Sequence, residues 1–164
     1  MPNQTNISYR DKGFWISESF IEVLSQYICE SFEKIGISNI SSNLQKTYTQ
    51  CNANRSGAYR GMVDVFLDDY VDGSQDKIAF IAVLEKTKPI LKAKGPELSI
   101  MTLNEFESNK IDPAFINKWA FSVKTSSLIS TIDIIIQMLN GTWTSDNYSV
   151  YYSGFPNPNG SMEI

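Results

Sequence analysis

The chain has 164 residues, of which 42% are apolar, 12% aromatic and 20% charged, a composition that belongs to a globular protein and to neither a disordered nor a fibrous one. Its 14 Lys and Arg against 18 Asp and Glu leave a net charge of -4, which argues against nucleic acid as the main partner. No histidine occurs anywhere, so Ser-His-Asp and Cys-His catalysis, His-ligated zinc and the usual near-neutral proton shuttle are excluded.

A chain of this length buries on the order of two thirds of its unfolded surface, enough for a conventional core without metal or disulfide staples. One domain spanning 1–164 is expected, because no internal repeat or linker divides the sequence. The opening MPNQTNISYRDKGFW lacks the basic start and apolar run of a secretory signal, so the cytosol is the expected compartment. The longest apolar stretch, 132–139, is interrupted by Asp133 and Gln137 and falls far short of the roughly 20 residues that span a bilayer. Cys29 and Cys51 have no second cysteine close in sequence, which predicts two reduced, packed thiols rather than a redox pair or zinc knuckle.

After an irregular start, Phe20, Leu24, Tyr27, Ile28, Phe32 and Ile35 recur at the spacing of one helical face. Ser19 with Glu22 reads as a capping box at its start, and Lys34 followed by Gly36 as its end. Phe14 and Trp15, with Tyr9 nearby, precede this helix either as a hydrophobic staple or as an exposed anchor. Ile40, Leu44, Tyr48 and Cys51 predict a second helix, stopping in the turn-rich stretch 52–57. Segment 58–70 fits two templates: Val63, Val65 and Leu67 alternate as in a strand, whereas Tyr59, Met62, Val63, Phe66, Leu67 and Tyr70 fit a helix, so the larger set predicts helix.

Residues 72–74 read as a turn, and Asp76 as the cap of a helix carrying Ile78, Ile81, Ala82 and Leu84, kinked or ended by Pro89. Asp112 before Pro113 is a helix-start signal, followed by an apolar face of Phe115, Ile116, Trp119, Ala120 and Val123. Leu128, Ile129, Ile132, Ile136 and Leu139 form another face ending at Gly141. Beyond it, Trp143, a turn at 145–147 and the aromatic, β-branched run 148–152 predict a β-hairpin, and 155–164 a loose tail. The expected fold is mainly α, a compact helical bundle with a C-terminal β-hairpin, with α+β as the alternative.

Charge is uneven. Residues 1–76 carry -4, residues 77–94 carry +4 and residues 95–164 carry -4. Asp64, Asp68, Asp69, Asp72 and Asp76 place five carboxylates in thirteen residues without a base between them. On a helix Asp64 and Asp68 would stack one turn apart, with Arg60 a turn earlier, and repel by a few tenths of a kcal/mol. Such a run is either a solvated face or a docking patch for a basic partner, where carboxylates speed encounter and reject wrong partners. A calcium loop starting at Asp68 fails, since Tyr70 and Ala79 stand where ligands are needed. A Mg²⁺ site of Asp68, Asp69 and Asp72 would be the simplest route to hydrolysis without histidine. Lys86, Lys88, Lys92 and Lys94 form either a phosphate contact or a solvated counter-face. No Gly-rich phosphate loop or nucleophile elbow is present.

The run Asp11-Lys12-Gly13-Phe14-Trp15-Ile16-Ser17-Glu18-Ser19-Phe20, leading into an amphipathic helix, resembles the N-terminal part of immunity proteins that accompany contact-dependent growth inhibition and related polymorphic toxins of bacteria. The resemblance implies a cytoplasmic, non-enzymatic protein that forms a tight complex with one toxin domain, often a nuclease, and blocks it without a cofactor. The toxin-contacting residues expected from the acidic run are Asp64, Asp68, Asp69 and Asp72, with Tyr70 as aromatic anchor. A carboxylate metal-dependent hydrolase and a non-toxin adaptor or regulatory binding protein are the alternatives.

Overall fold

The computed structural model describes residues 3–143 and 150–151, and of Phe115, Val150 and Tyr151 the backbone alone. It is mainly α, with six α-helices and two small sheets among the described residues. The start of the chain is an antiparallel hairpin of β1 (Gln4–Tyr9) and β2 (Lys12–Ser17), in register from Gln4 opposite Ser17 to Tyr9 opposite Lys12. The connection is the two-residue turn Arg10-Asp11, in which Arg10 takes a left-handed φ of 54°. Hairpins favour turns with positive φ because their twist matches that of the strands, and Gly or Asn usually supplies it. Arg at this position conceals the hairpin from a reading of turn residues. Ile7, Tyr9, Phe14 and Ile16 turn inward and are buried.

The strand predicted near the C-terminus is present as β5 (Val150–Tyr151), and its described partner is β2, which it joins in parallel with Phe14 opposite Val150. It thus extends the N-terminal hairpin, giving the order β1-β2-β5. The expected hairpin turn at 145–147, Tyr148, Tyr152 and the tail 155–164 lie outside the described residues.

Helix α1 (Glu18–Ile35) follows β2 directly and is the centre of the molecule. It packs against α2 (Ser42–Arg55) and α4 (Ser74–Lys92), and α4 packs in turn on α6 (Thr125–Asn140). Burial of Phe20, Leu24, Ile28 and Phe32 on α1 contributes about 1.5–3 kcal/mol for each side chain. Phe32 stacks on Phe80 of α4 at 6.2 Å and meets Tyr48 of α2 edge-on at 5.8 Å. The helix is buried on almost every side, its stripe Glu18, Glu22 and Ser25 included. The capping box is therefore corrected: Ser17 occupies the N-cap without a side-chain bond, and Ser19 and Glu22 are used inside the protein. Its end agrees with expectation, Gly36 taking positive φ while its N–H donates to Phe32 O.

Ser41 caps α2, its hydroxyl accepting from Leu44 N at 3.2 Å. Pro89 lies inside the last turn of α4, which continues to Lys92. Helix α5 (Ile100–Ser108) is capped by Ser99. A two-stranded sheet of β3 (Glu97–Leu98) and β4 (Val123–Lys124) links its surroundings to the start of α6. Helix α6 ends as predicted at Gly141, left-handed with φ 69°.

Two predicted helices are absent. Within 58–70 only Leu67–Tyr70 is helical, the single turn α3. Val63, Val65 and Leu67 are each 1% exposed, so the alternating pattern rather than the helical one describes the burial. Its backbone groups find separate partners instead of a neighbouring strand: Val63 O accepts from the Thr5 hydroxyl and Asp64 O from Asn54 Nδ2 at 2.8 Å. In the other case Asp112 caps only a 3-10 turn, Pro113–Phe115, accepting from Ala114 N, and residues 116–122 are irregular. Their backbone is held by side chains of α5, with Glu107 Oε2 accepting from Asn117 N at 2.8 Å and Asn104 Oδ1 from Trp119 N at 3.2 Å.

Candidate functional site

The acidic run does not lie along a helix. Asp64 precedes α3 and is largely buried, its Oδ1 accepting from Val65 N at 2.6 Å and Phe66 N at 3.2 Å. These bonds hold Phe66 in a left-handed conformation, φ 51°, which turns the chain into α3. Burial pushes the Asp64 carboxyl above the ordinary range, against the pull of those two amides. Asp64 is thus a positioning group for the turn, and its expected stacking on Asp68 beside Arg60 is corrected.

Asp68 and Asp69 sit in the first turn of α3 and are exposed. Asp68 Oδ1 accepts from Arg10 N at 2.8 Å, fixing α3 to the turn of the β1-β2 hairpin. Asp72 Oδ1 accepts from the Tyr9 hydroxyl at 2.7 Å and from Arg10 Nη2 at 3.1 Å. The Tyr9 hydroxyl first, and Arg10 second, hold the Asp72 carboxyl below its ordinary value. Arg10 and Lys77 lie over the Tyr9 ring at 5.0 and 5.1 Å. Asp69 makes no hydrogen bond or ion pair among the described residues. Tyr70 is half-buried, edge-on to Phe66 at 6.0 Å. Asp76 turns away from the group: it accepts from Ser41 Oγ at 2.6 Å and Asn43 Nδ2 at 3.0 Å, joining α4 to the start of α2.

Of the five expected contact residues, Asp68 and Asp72 bond to Tyr9 and Arg10 at the hairpin turn, Asp69 and Tyr70 follow Asp68 on α3, and Asp64 braces the turn before it. Among the described residues no group of three or more Cys, Asp or Glu is placed to hold a metal ion, so the carboxylates of α3 are not arranged as the Mg²⁺ site considered for them. Cys29 and Cys51 are free and buried. Burial pushes the Cys51 thiol up to about 12 and the Cys29 thiol higher still, which leaves both as unreactive packing groups. Lys88 is paired with Glu85 at 3.0 Å and with Asp133 of α6 at 2.5 Å.

A second polar group was not legible in the sequence. Lys110 Nζ, on a side chain 2% exposed, is shared by Glu22 Oε2 and by Glu107 Oε2, the latter at 2.7 Å. Glu107 Oε1 also accepts from the Trp119 indole at 2.9 Å. Arg60 donates to Asn117 Oδ1, while Asn117 Nδ2 donates to Ser19 Oγ at 2.7 Å. Glu18 Oε2 accepts from Gly61 N at 3.1 Å. These bonds tie two irregular segments, 56–61 and 109–119, to one face of α1. Ile111 N donates across to Ser56 O at 3.1 Å. Gly57, at φ 72°, lies so close to Lys110 that a Cβ there would meet its Cδ at 3.0 Å. Glu22 and Lys110 are 88 positions apart, and nothing in the sequence distinguishes the buried stripe Glu18, Glu22 and Ser25 from the other polar residues of α1.

No helix is long and apolar enough to cross a membrane among the described residues. A comparison with protein-family models, with curated proteins and with solved structures finds no match.

Proposed function

We propose that the chain is a non-catalytic, cytoplasmic immunity protein that neutralises a cognate toxin domain by forming a tight one-to-one complex with it. The observation that carries this reading is the exposed carboxylate pair Asp68 and Asp69 on one short, firmly held turn. Phe66 and the Arg10 N–H set the direction of that turn, so the backbone that carries the charges is set before docking, which lowers the ordering cost. A basic domain that must hold phosphates, as a nuclease does, offers the complementary surface. Asp72 adds charge tempered by Arg10, Tyr70 gives an aromatic neighbour, and Asp64 contributes through the turn it braces rather than by contact.

The resemblance of residues 11–20 to immunity proteins supports the same reading. In this structure that run forms the second residue of the hairpin turn, β2 and the start of α1, directly after Tyr9 and Arg10, the residues that Asp68 and Asp72 bond to. The test is genetic: the C-terminal domain of the product encoded immediately upstream is expressed with and without this chain, and viable cells are counted. Killing by that domain alone, with growth restored by this chain, is the expected result. A harmless neighbour, or killing that this chain does not relieve, overturns the reading and leaves an adaptor for a non-toxic partner in its place.

A further inference from the structure

The buried cluster holds three carboxylates, Glu18, Glu22 and Glu107, each on a residue 3% exposed, against two cations, Lys110 and Arg60. One negative charge is therefore in excess where the three carboxylates are all but removed from water and Arg60, 15% exposed at the side chain, is the best solvated member. The shortfall is visible at one atom: Glu22 Oε1 is buried without a hydrogen-bond partner, Lys110 bonding the other oxygen of that carboxyl and Arg60 Nε standing 3.9 Å away. The groups that face Glu22 come from three directions: Lys110 from the segment after α5, Glu107 from α5 itself and Arg60 from the segment after α2. Glu18 stands one turn earlier on its own helix. All other oxygens named here have donors.

We propose that this cluster is a proton-operated clasp, fastened as the pH falls toward the range in which a glutamate takes up its proton and loosened as it rises, that closes the paired segments 56–61 and 109–119 onto α1. Opening the two segments returns the Glu22 carboxylate to water, where its ionised form is solvated; closing them removes that solvation, at a cost borne by the ionised form alone. The closed clasp therefore takes up a proton more readily than the open one, and by linkage a proton favours closure. Burial acts in this direction on Glu22, raising its carboxyl above the ordinary value despite Lys110 and Arg60. The sign is opposite to that of an exposed salt bridge, which acid weakens. The segments also carry the exposed side chains of Tyr59 (49%), Ile111 (74%) and Ile116 (45%), so opening rearranges an apolar part of the surface.

The test is native-state amide hydrogen exchange of the full chain between pH 4 and 7.5, corrected for intrinsic rates. The reporters are Gly61, Ile111 and Asn117, whose N–H groups are held by Glu18, Ser56 and Glu107. The expected result is that protection of all three falls together as pH rises, by more than about threefold, while amides of α4 stay level. Glu22→Gln should abolish this dependence at the three reporters. Should that variant fail to fold, the Glu22 carboxyl of the unmodified protein is titrated by carbon NMR, and a midpoint above that of a free glutamate is required. Protection that is flat or rises with pH, reporters that move independently, or a Glu22 midpoint at or below the free value would each overturn the proposal.

Discussion

Replacing Lys110 by Met keeps the volume of a side chain that is 2% exposed but strands Glu22 and Glu107, which are 3% and 4% exposed at the side chain. Glu107 would keep the neutral donors Trp119 Nε1 and Asn117 N. Glu22 would keep only Arg60, 3.9 Å from Oε1. Removing one member of a buried ion pair costs about 3–5 kcal/mol, because an uncompensated charge is left behind, which is a large share of the roughly 5–15 kcal/mol that holds a domain of ordinary stability. With a urea slope of about 2 kcal/mol per molar, the midpoint of Lys110→Met should fall by about 1.5–2.5 M at pH 7. The deficit should shrink as pH falls, since the stranded carboxylates bind protons in the folded protein that the unfolded chain releases, and stability then rises toward acid. The triple variant Glu22→Gln, Glu107→Gln, Lys110→Met, which strands no charge, should recover most of the loss. A deficit under about 1 kcal/mol, the size of an exposed pair, or one indifferent to pH, would refute the claim that the cluster is dry and coupled.

Three further outcomes can be checked, two with substitutions and one on the unmodified protein. Gly57→Ala combines a left-handed φ of 72° with a Cβ 3.0 Å from the Lys110 stem, so it should cost about 1–3 kcal/mol by chemical denaturation; Gly95→Ala, also left-handed but with open space around it, should cost about 1 kcal/mol. Asp69→Lys should leave the denaturation midpoint within about 0.5 kcal/mol of the parent yet slow association with the toxin domain at low salt, with the difference narrowing as salt is added. Neither thiol should react with an aromatic disulfide reagent in the native protein at pH 8, since both are buried and protonated; both should react together on unfolding, and labelling faster than unfolding would contradict the packing described.

What could be read from the sequence followed the length and regularity of the apolar pattern. Helix α1, α2 and α6 repeat their apolar residues over several turns and stop at residues with a local reason to stop them, Gly36 and Gly141 among them. The segment 58–70 misled because a longer match to the helical template outweighed the alternation of Val63, Val65 and Leu67. Its extended backbone survives without a neighbouring strand because Thr5 and Asn54 satisfy individual carbonyls. Likewise 116–122 carries helix-like spacing, but Glu107 and Asn104 hold its N–H groups from across a loop. The hairpin of β1 and β2 was hidden by Arg10 in a position where glycine would have marked the turn.

The candidate site divides in the same way. Local sequence exposed the carboxylates of the acidic run, because their density needs no fold to be noticed. Their separate duties were not visible: Asp64 braces Phe66, Asp72 meets Tyr9 and Arg10, and Asp76 links α4 to α2 through bonds that span at least 33 positions once the turn of Asp64 itself is set aside. In the cluster around Lys110 only the Glu107–Lys110 pair is local, three positions apart; its bonds to Glu18, Ser19 and Glu22 of α1 depend on tertiary approach.

The most direct measurement of the central claim is the binding of the purified protein to the toxin domain encoded beside it, followed by calorimetry at physiological salt and by stopped-flow mixing across a salt series. The account predicts a one-to-one complex with a dissociation constant in the nanomolar range or below, an association rate that falls steeply with salt, and a slower rate for Asp69→Lys. No heat of binding at micromolar concentrations, or a complex whose association ignores both salt and the charge at position 69, would contradict it.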